Sequence, residues 1–402
     1  MNETPQITIT LKKGREKPVK KKHPWIFSGA IEKRDGDPEQ GELVRIVDAQ
    51  QNYLATAYYN RISQIRCRIL TWDMDEVIDE AFWNGRIQTA IQHRQQLNLP
   101  PHTNAFRLIN GESDFLPGLI VDKYGDYLVM QCLTAGIDAR KERIAQILAT
   151  LCQPKGIVER SDAYARKREG LPKTTGMLYG EAPPNALTIQ ENGVLFNVDL
   201  LNGQKTGFYL DQRENRTAVT QPTFVQDKTV LNVFAYTGGF GLFAIQNGAK
   251  TVINIDSSIE ALEQAEKNVA LNSWERPDDE YLAGDAFEIL RYYRNQNAQF
   301  DMIILDPPKF AKSQKDIDGA CRGYKDLNWL AFRLLKPGGL LATFSCSGLV
   351  SRDLFQKVLF GAAVDAQRDV QIIQQFNHAP DHPTAITVPE SAYLKGFLLR
   401  AL

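Results

Sequence analysis

VLNVFAYTGGFGLFAIQNGAKTVINID, residues 230–256, decides the fold. An apolar strand runs into a turn holding Gly238, Gly239 and Gly241, a short helix follows, and a second strand ends on Asp256. Glycines let a backbone approach a ligand without Cβ clashes, and an acidic residue about 20 positions on can accept ribose hydroxyls. The segment therefore reads as a nucleotide-binding βαβ unit. From about residue 190 onward strands and helices alternate: TVINI, YLA, DMIIL, LLATF, VQIIQ and FLLRA join VLNVFA as seven strands. The amphipathic IEALEQAEKNVALN, behind Ser257 and Ser258 as N-caps, supplies a crossover helix. This pattern predicts a doubly wound α/β sheet whose carboxyl strand ends gather Gly238, Asp256, Asp306 and Cys346.

Three later segments narrow the reading: LAGDAF with Asp285, IILDPPKF at 303–310, and LKPGGLLATFSCS at 335–347. Their order and spacing resemble the class I S-adenosylmethionine methyltransferases, with an acid after strand two, an Asp after strand three, Asp-Pro-Pro after strand four and Pro-Gly-Gly before strand five. A dehydrogenase explains none of these last three. The resemblance implies S-adenosyl-L-methionine as cofactor. Phe234 and Tyr236 in the first turn, with Gly238, Gly239, Asp256, Asp285 and Asp306, are its candidate contacts. Asp256 and Asp285 each also suit a helix N-cap.

A chain of 402 residues with 43% hydrophobic content can bury more than one core. The net charge of −1 hides an asymmetry, because residues 1–34 hold nine Lys/Arg, with Lys20, Lys21 and Lys22 in a run, against three Glu. Such a block suits phosphate contact and equally a solvated face. The five cysteines (Cys67, Cys132, Cys152, Cys321, Cys346) show no short paired spacing, so neither a zinc knuckle nor a disulfide framework is expected, and a cytoplasmic, reducing location follows. His378 and His382 mimic a metal pair, but Pro380 and Pro383 forbid the helix that would align them, so no metal is expected. No apolar run approaches about 18 residues, which predicts neither signal peptide nor membrane span.

Residues 1–73 read as short strands (ITITL, ELVRIVDA, YLATAYYN, QIRCRIL) separated by glycines, the spacing of a small β-barrel. With KKKHPWIFSGAI this part resembles a PUA domain, an RNA-binding module. Residues 74–185 form an α+β bridging part. It opens with a charged helical stretch ending at Pro100-Pro101, then a hairpin turning at Tyr124-Gly125-Asp126, a helix over 138–152 and a strand near GIVER. Arg166-Lys167-Arg168 reads as a basic loop suited to an RNA channel or simply to the surface. Residues 186–402 hold the methyltransferase sheet.

LLNGQKTGFYLDQREN, 200–215, is unusually dense in functional side chains for a connector. It resembles the segment covering the cofactor in one branch of RNA methyltransferases, which implies Phe208, Asp211 and Arg213 as contacts. In Asp306-Pro307-Pro308 proline fixes φ and removes amide donors, leaving carbonyls and a carboxylate to face a planar base. Cys346 in TFSCS lies just past strand five and matches the cysteine nucleophile of RNA cytosine-5 methyltransferases. That chemistry needs a thiolate because C5 of cytosine is unreactive until C6 is attacked. A buried structural cysteine is the alternative. Larger families of this kind carry a second cysteine after strand four, where Lys309 stands here, so the base removing the C5 proton is unassigned; Asp306 is a candidate.

The PUA-like start, GQKTGFYLDQREN, DPPKF, GACRGYKD and TFSCSG follow the order seen in the bacterial PUA-containing 23S ribosomal RNA cytosine-5 methyltransferases. The resemblance covers nearly the whole chain. It implies 5-methylcytosine formation in 23S rRNA or a large-subunit assembly intermediate, with Cys346 and Asp306 catalytic. Two other readings stay open: an rRNA guanine methyltransferase (N2 or N7), in which Cys346 is dispensable, and a non-catalytic RNA-binding assembly factor. A homodimer stays open as well.

Overall fold

β-branched and aromatic residues in short glycine-punctuated runs make the amino-terminal strands. A computed structural model describes residues 4–99 and 102–402; the Pro100-Pro101 break lies outside them. β1 (Ile7–Leu11), β2 (Trp25–Phe27), β3 (Ile31–Arg34), β4 (Leu43–Val47), β5 (Tyr53–Tyr59) and β6 (Ile65–Thr71) form one sheet in the order β2-β6-β5-β4-β1-β3. Its two edge strands are joined only by Ser28–Ala30, so the sheet is held in a curl around Ile9, Leu11, Val44, Ile46, Ala57, Cys67 and Ile69. Of its strands, β2 and β3 arise from WIFSGAI and the residues after it, which carry no strand-like alternation.

β7 (Ala105–Asn110), β8 (Leu119–Tyr124), β9 (Tyr127–Cys132), β10 (Gly156–Ser161) and β11 (Thr174–Gly180) make a second sheet, in the order β11-β10-β9-β8-β7. The β8–β9 hairpin turns at Gly125, φ 56°, as its turn residues require. The helix Lys141–Cys152 buries Ile144, Ala145 and Leu148. The basic stretch at 166–168 is not a loop. It lies in the helix Ala165–Glu169, and Arg166 is only 1% exposed, donating to Asp138 Oδ1 and Pro172 O at 2.7 Å each. Arg166 is therefore a structural cation, and only Lys167 and Arg168 face solvent.

β12 (Leu187–Glu191) and β13 (Val194–Val198) pair as a hairpin. The seven expected carboxy-terminal strands all form: β14 (Thr229–Val233), β15 (Thr251–Asp256), β16 (Glu280–Ala283), β17 (Phe300–Leu305), β18 (Leu335–Ser345), β19 (Val370–Phe376) and β20 (Lys395–Ala401). Their order is β16-β15-β14-β17-β18-β20-β19, parallel through β18, with β20 antiparallel to both neighbours. Near-continuous apolar runs suit strands covered on both faces, and Leu231, Val233, Ile253, Ile255, Ile303, Leu305 and Leu341 fill this core. Chain direction across the sheet reverses between β14 and β17, which opens a crevice at the carboxyl ends. Ser258, Asp285 and Ser351 cap the helices that follow, each accepting a backbone amide at 3.1 Å.

The chain divides into two compact units. One takes in the chain up to Ile189 with Val198–Leu210 and Pro380–Ser391; the other takes in Gln190–Asn197, Asp211–Ala379 and Ala392–Leu402.

Candidate active site

The turn after β14 is built from uncommon backbone conformations. Phe234 and Tyr236 hold φ of 61° and 49°, and Gly238 holds 84°. A non-glycine residue in this region costs roughly 1–2 kcal/mol, so something must hold the turn. Asp256, at the end of β15, does so: its Oδ2 accepts the Tyr236 amide at 2.8 Å and its Oδ1 the Ser258 amide at 3.0 Å. Gly241 lies over the buried Asn232–Asn254 hydrogen bond, where a Cβ would stand 2.6 Å from Asn254 Oδ1. Gly239 starts the helix Gly239–Gln246, and Gly238 is its N-cap, so neither position carries a side chain.

The remaining predicted contacts divide. Asp285 is exposed, and its Oδ1 accepts the Glu288 amide at 3.1 Å as a helix N-cap. Asp211 is 2% exposed and accepts the Tyr393 hydroxyl at 2.7 Å, while Arg213 is fully buried with Nε 3.1 Å from Glu214 Oε1. Phe208 belongs to the other unit, where its amide donates to Tyr124 Oη at 3.1 Å. Gln212, passed over in sequence, donates from Nε2 to Asp306 Oδ1 at 2.9 Å and accepts from Asn215 at 2.6 Å. It orients the carboxylate that opens the Asp-Pro-Pro loop.

The structure brings Cys346 to that loop. β17 and β18 are adjacent and parallel, so the residues just past their ends meet: Cys346 Sγ lies 3.9 Å from the Pro307 carbonyl oxygen, half-buried. Close by, the buried Lys395 donates from Nζ to the carbonyls of Ser347 at 2.7 Å and Val350 at 2.6 Å. Burial lowers its pKa to about 8, partly countered by a Cys346 thiolate. Burial pushes the thiols of Cys67, Cys152 and Cys321 up, and that of Cys132 to about 12.

Comparison with known proteins assigns the chain. Residues 9–72 match the PUA-like domain and residues 164–400 the S-adenosylmethionine-dependent methyltransferase family. Proteins named ribosomal RNA large subunit methyltransferase I, from Enterobacter sp. (strain 638) and Shigella dysenteriae serotype 1 (strain Sd197), are 48% and 46% identical over 396 residues. Those alignments span 98% of this chain and 100% and 99% of theirs. The chain belongs to the ribosomal RNA large subunit methyltransferase I family. The fold agrees. A methyltransferase complexed with SAH superposes over 98% of this chain and 100% of its own, with a TM-score of 0.86 at 22% identity, and a SAM-dependent methyltransferase from Streptococcus mutans reaches 0.84, also at 22%.

As a member of this family the protein uses S-adenosylmethionine. Among the described residues no group of three His, Cys, Asp or Glu is placed to hold a metal ion, and no helix is long and apolar enough to cross a membrane. Sequence reading also missed a basic cluster in the PUA-like part. Arg34, Arg61 and Arg66 line an open cavity of about 430 Å³ with Ser28 and Tyr59. Among the described residues Asp37 is the acid paired with them, at 3.4 Å from Arg34 and 3.2 Å from Arg61. Arg34 belongs to the basic block of residues 1–34, but Arg61 and Arg66 stand 39 and 44 positions beyond Lys22, outside any charge run, so the sequence does not show the three as one cluster.

Proposed function

We propose that this protein methylates C5 of a cytosine in 23S ribosomal RNA, with Cys346 as the nucleophile and the cytoplasm as its setting. One observation carries the reading: the Cys346 sulfur sits 3.9 Å from the carbonyl of the rigid Asp-Pro-Pro loop, so a base held edge-on by that loop presents its ring to the thiol. The names of the relatives support the choice of large-subunit rRNA. The residues after β14 and β15 fit S-adenosylmethionine, since each Asp256 oxygen accepts one amide and keeps lone-pair capacity for a ribose hydroxyl. When bound, the cofactor supplies an electrophilic methyl group.

Each protein group then has a task. The Cys346 thiolate forms a sulfur–carbon bond at C6, which makes C5 nucleophilic. C5 takes the methyl group. The C5 proton leaves to a base, the electron pair re-forms the C5–C6 double bond, and the C6–sulfur bond breaks to return the thiolate. Asp306, oriented by Gln212, accepts a hydrogen bond from the cytosine amino group. Arg34, Arg61 and Arg66 with the exposed lysines of residues 12–22 hold phosphates of an extruded or single-stranded segment.

The test is Cys346→Ala. Methylation should vanish while RNA and cofactor affinities stay near wild type, because a transition-state interaction has gone and ground-state contacts have not. RNA containing 5-fluorocytosine should trap the wild type covalently, since fluorine cannot leave as the proton does. Wild-type methylation by Cys346→Ala would refute the assignment and favour a guanine acceptor.

A further inference from the structure

GACRGYKDLN, 319–328, has no role in the chemistry above, yet its tyrosine reaches the nucleophile's neighbours on both sides. Tyr324 lies in the helix Ile317–Leu334 and is fully buried. The Ser345 hydroxyl donates to Tyr324 Oη at 2.9 Å, and Tyr324 Oη lies 3.0 Å from Ser347 Oγ. Ser347 Oγ in turn accepts the amide of Ala311 at 3.2 Å, from the end of the DPPKFA loop. In extended chain, side chains alternate, so Ser345 and Ser347 point one way and Cys346 the other. One hydroxyl thus pins both flanks of the cysteine, leaving the thiol aimed at the Pro307 carbonyl.

The ring is fixed too. Phe310 packs on Tyr324 with centroids 4.7 Å apart, and Phe355 meets it edge-on at 5.2 Å. Gly323 makes room for this, since a Cβ there would come within 3.3 Å of the Phe310 ring. From the opposite side Lys395 holds the Ser347 and Val350 carbonyls. Three motifs distant in sequence, DPPKF, RGY and SCS, meet at the Tyr324 side chain.

We infer that Tyr324 is a positioning residue for the methyl-transfer reaction: its hydroxyl locks Ser345-Cys346-Ser347 to the Asp-Pro-Pro loop, so that the sulfur and the base-holding loop keep one spacing. Burial pushes the phenol up to about 12, so the hydroxyl stays neutral, able both to donate and to accept, across the working pH range. This inference rests on Cys346 being the nucleophile. Displacement of a reacting atom by about 1 Å can cost on the order of a hundredfold in rate, and that is the scale expected here.

The experiment uses the full-length enzyme with 23S rRNA and compares Tyr324→Phe, Ser347→Ala and Cys346→Ala. Tyr324→Phe keeps the ring packing and should lower kcat about ten- to a hundredfold, with KM for RNA and cofactor affinity within about twofold of wild type. Capture of 5-fluorocytosine RNA, which requires sulfur–C6 bond formation, should slow by the same factor. Ser347→Ala should reproduce the split between kcat and KM. Wild-type kcat and capture in Tyr324→Phe would overturn the inference, as would a loss in which cofactor affinity and thermal midpoint fall together with kcat. An inactive Cys346→Ala beside a fully active Tyr324→Phe removes the clamp alone, whereas an active Cys346→Ala removes the nucleophile reading beneath it.

Discussion

Asp256→Ala separates two jobs of one carboxylate. Asp256 anchors the amides of Tyr236 and Ser258, at 2.8 and 3.0 Å, in a turn where Phe234 and Tyr236 hold left-handed φ. Hydrogen bonds to a charged group contribute about 1.5–3 kcal/mol each, and the half-buried setting favours the lower figure, so losing both costs about 3 kcal/mol. Once released, the turn can relax from two strained conformations and regain roughly 1 kcal/mol for each. Net loss of stability should therefore be only about 1–2 kcal/mol by these same terms. Cofactor binding has no such relief. It must restore the strain of about 2 kcal/mol without the anchor and also forgo a ribose contact of about 1.5–3 kcal/mol, so affinity should fall by about 3.5–5 kcal/mol, roughly several hundred- to several thousandfold in Kd. Calorimetry with S-adenosylmethionine measures the second quantity and urea unfolding the first. Unchanged cofactor affinity, or an affinity loss no larger than the stability loss, refutes the reasoning.

Replacing Arg34, Arg61 and Arg66 together by Ala should flatten the log–log dependence of RNA affinity on salt by about 2, as expected for three lost phosphate contacts at about 0.7–0.9 each; an unaltered slope makes the cluster a solvated surface. Lys395 gives a pH signature. Its folded pKa of about 8 lies below its ordinary 10.5, so between these values the unfolded chain binds more protons and rising pH stabilises the fold. The stability difference between wild type and Lys395→Met should therefore grow in favour of wild type from about pH 8 to about 10.5 and stay level below that window; a difference independent of pH throughout places the ammonium in an ordinary aqueous setting.

The sheet was readable because its signals are local. The central strands β14, β15, β17 and β18 contain apolar runs bounded by turn residues, and the glycines after β14 announce its turn. The position of Cys346 was readable for the same reason: TFSCS ends an apolar strand, so the cysteine falls at the carboxyl edge of the sheet. Charge was a poorer guide. The run Arg166-Lys167-Arg168 looks uniform in sequence, yet its first member turns inward because Asp138 and the Pro172 carbonyl satisfy its guanidinium, and composition alone cannot say which of three neighbours has partners waiting.

What stayed hidden depends on pairing across long separations. Gln212 meets Asp306 across 94 residues, and Lys395 meets Ser347 across 48. Neither residue type is rare; Gln212 lies in GQKTGFYLDQREN, but nothing in that segment names Asp306 as its partner. The antiparallel pairing of β20 with β18 sets Lys395 opposite Ser345, beside the turn after TFSCS, and register is a property of the folded sheet. Tyr324 lies between these cases. Its neighbours in GACRGYKDLN stood out in sequence without a function, because a tyrosine on the apolar face of a helix reads as core. It is core. The difference is one oxygen, which in this core finds two serine hydroxyls spaced to flank Cys346, so a packing residue gains a second duty from partners that the helix itself does not encode.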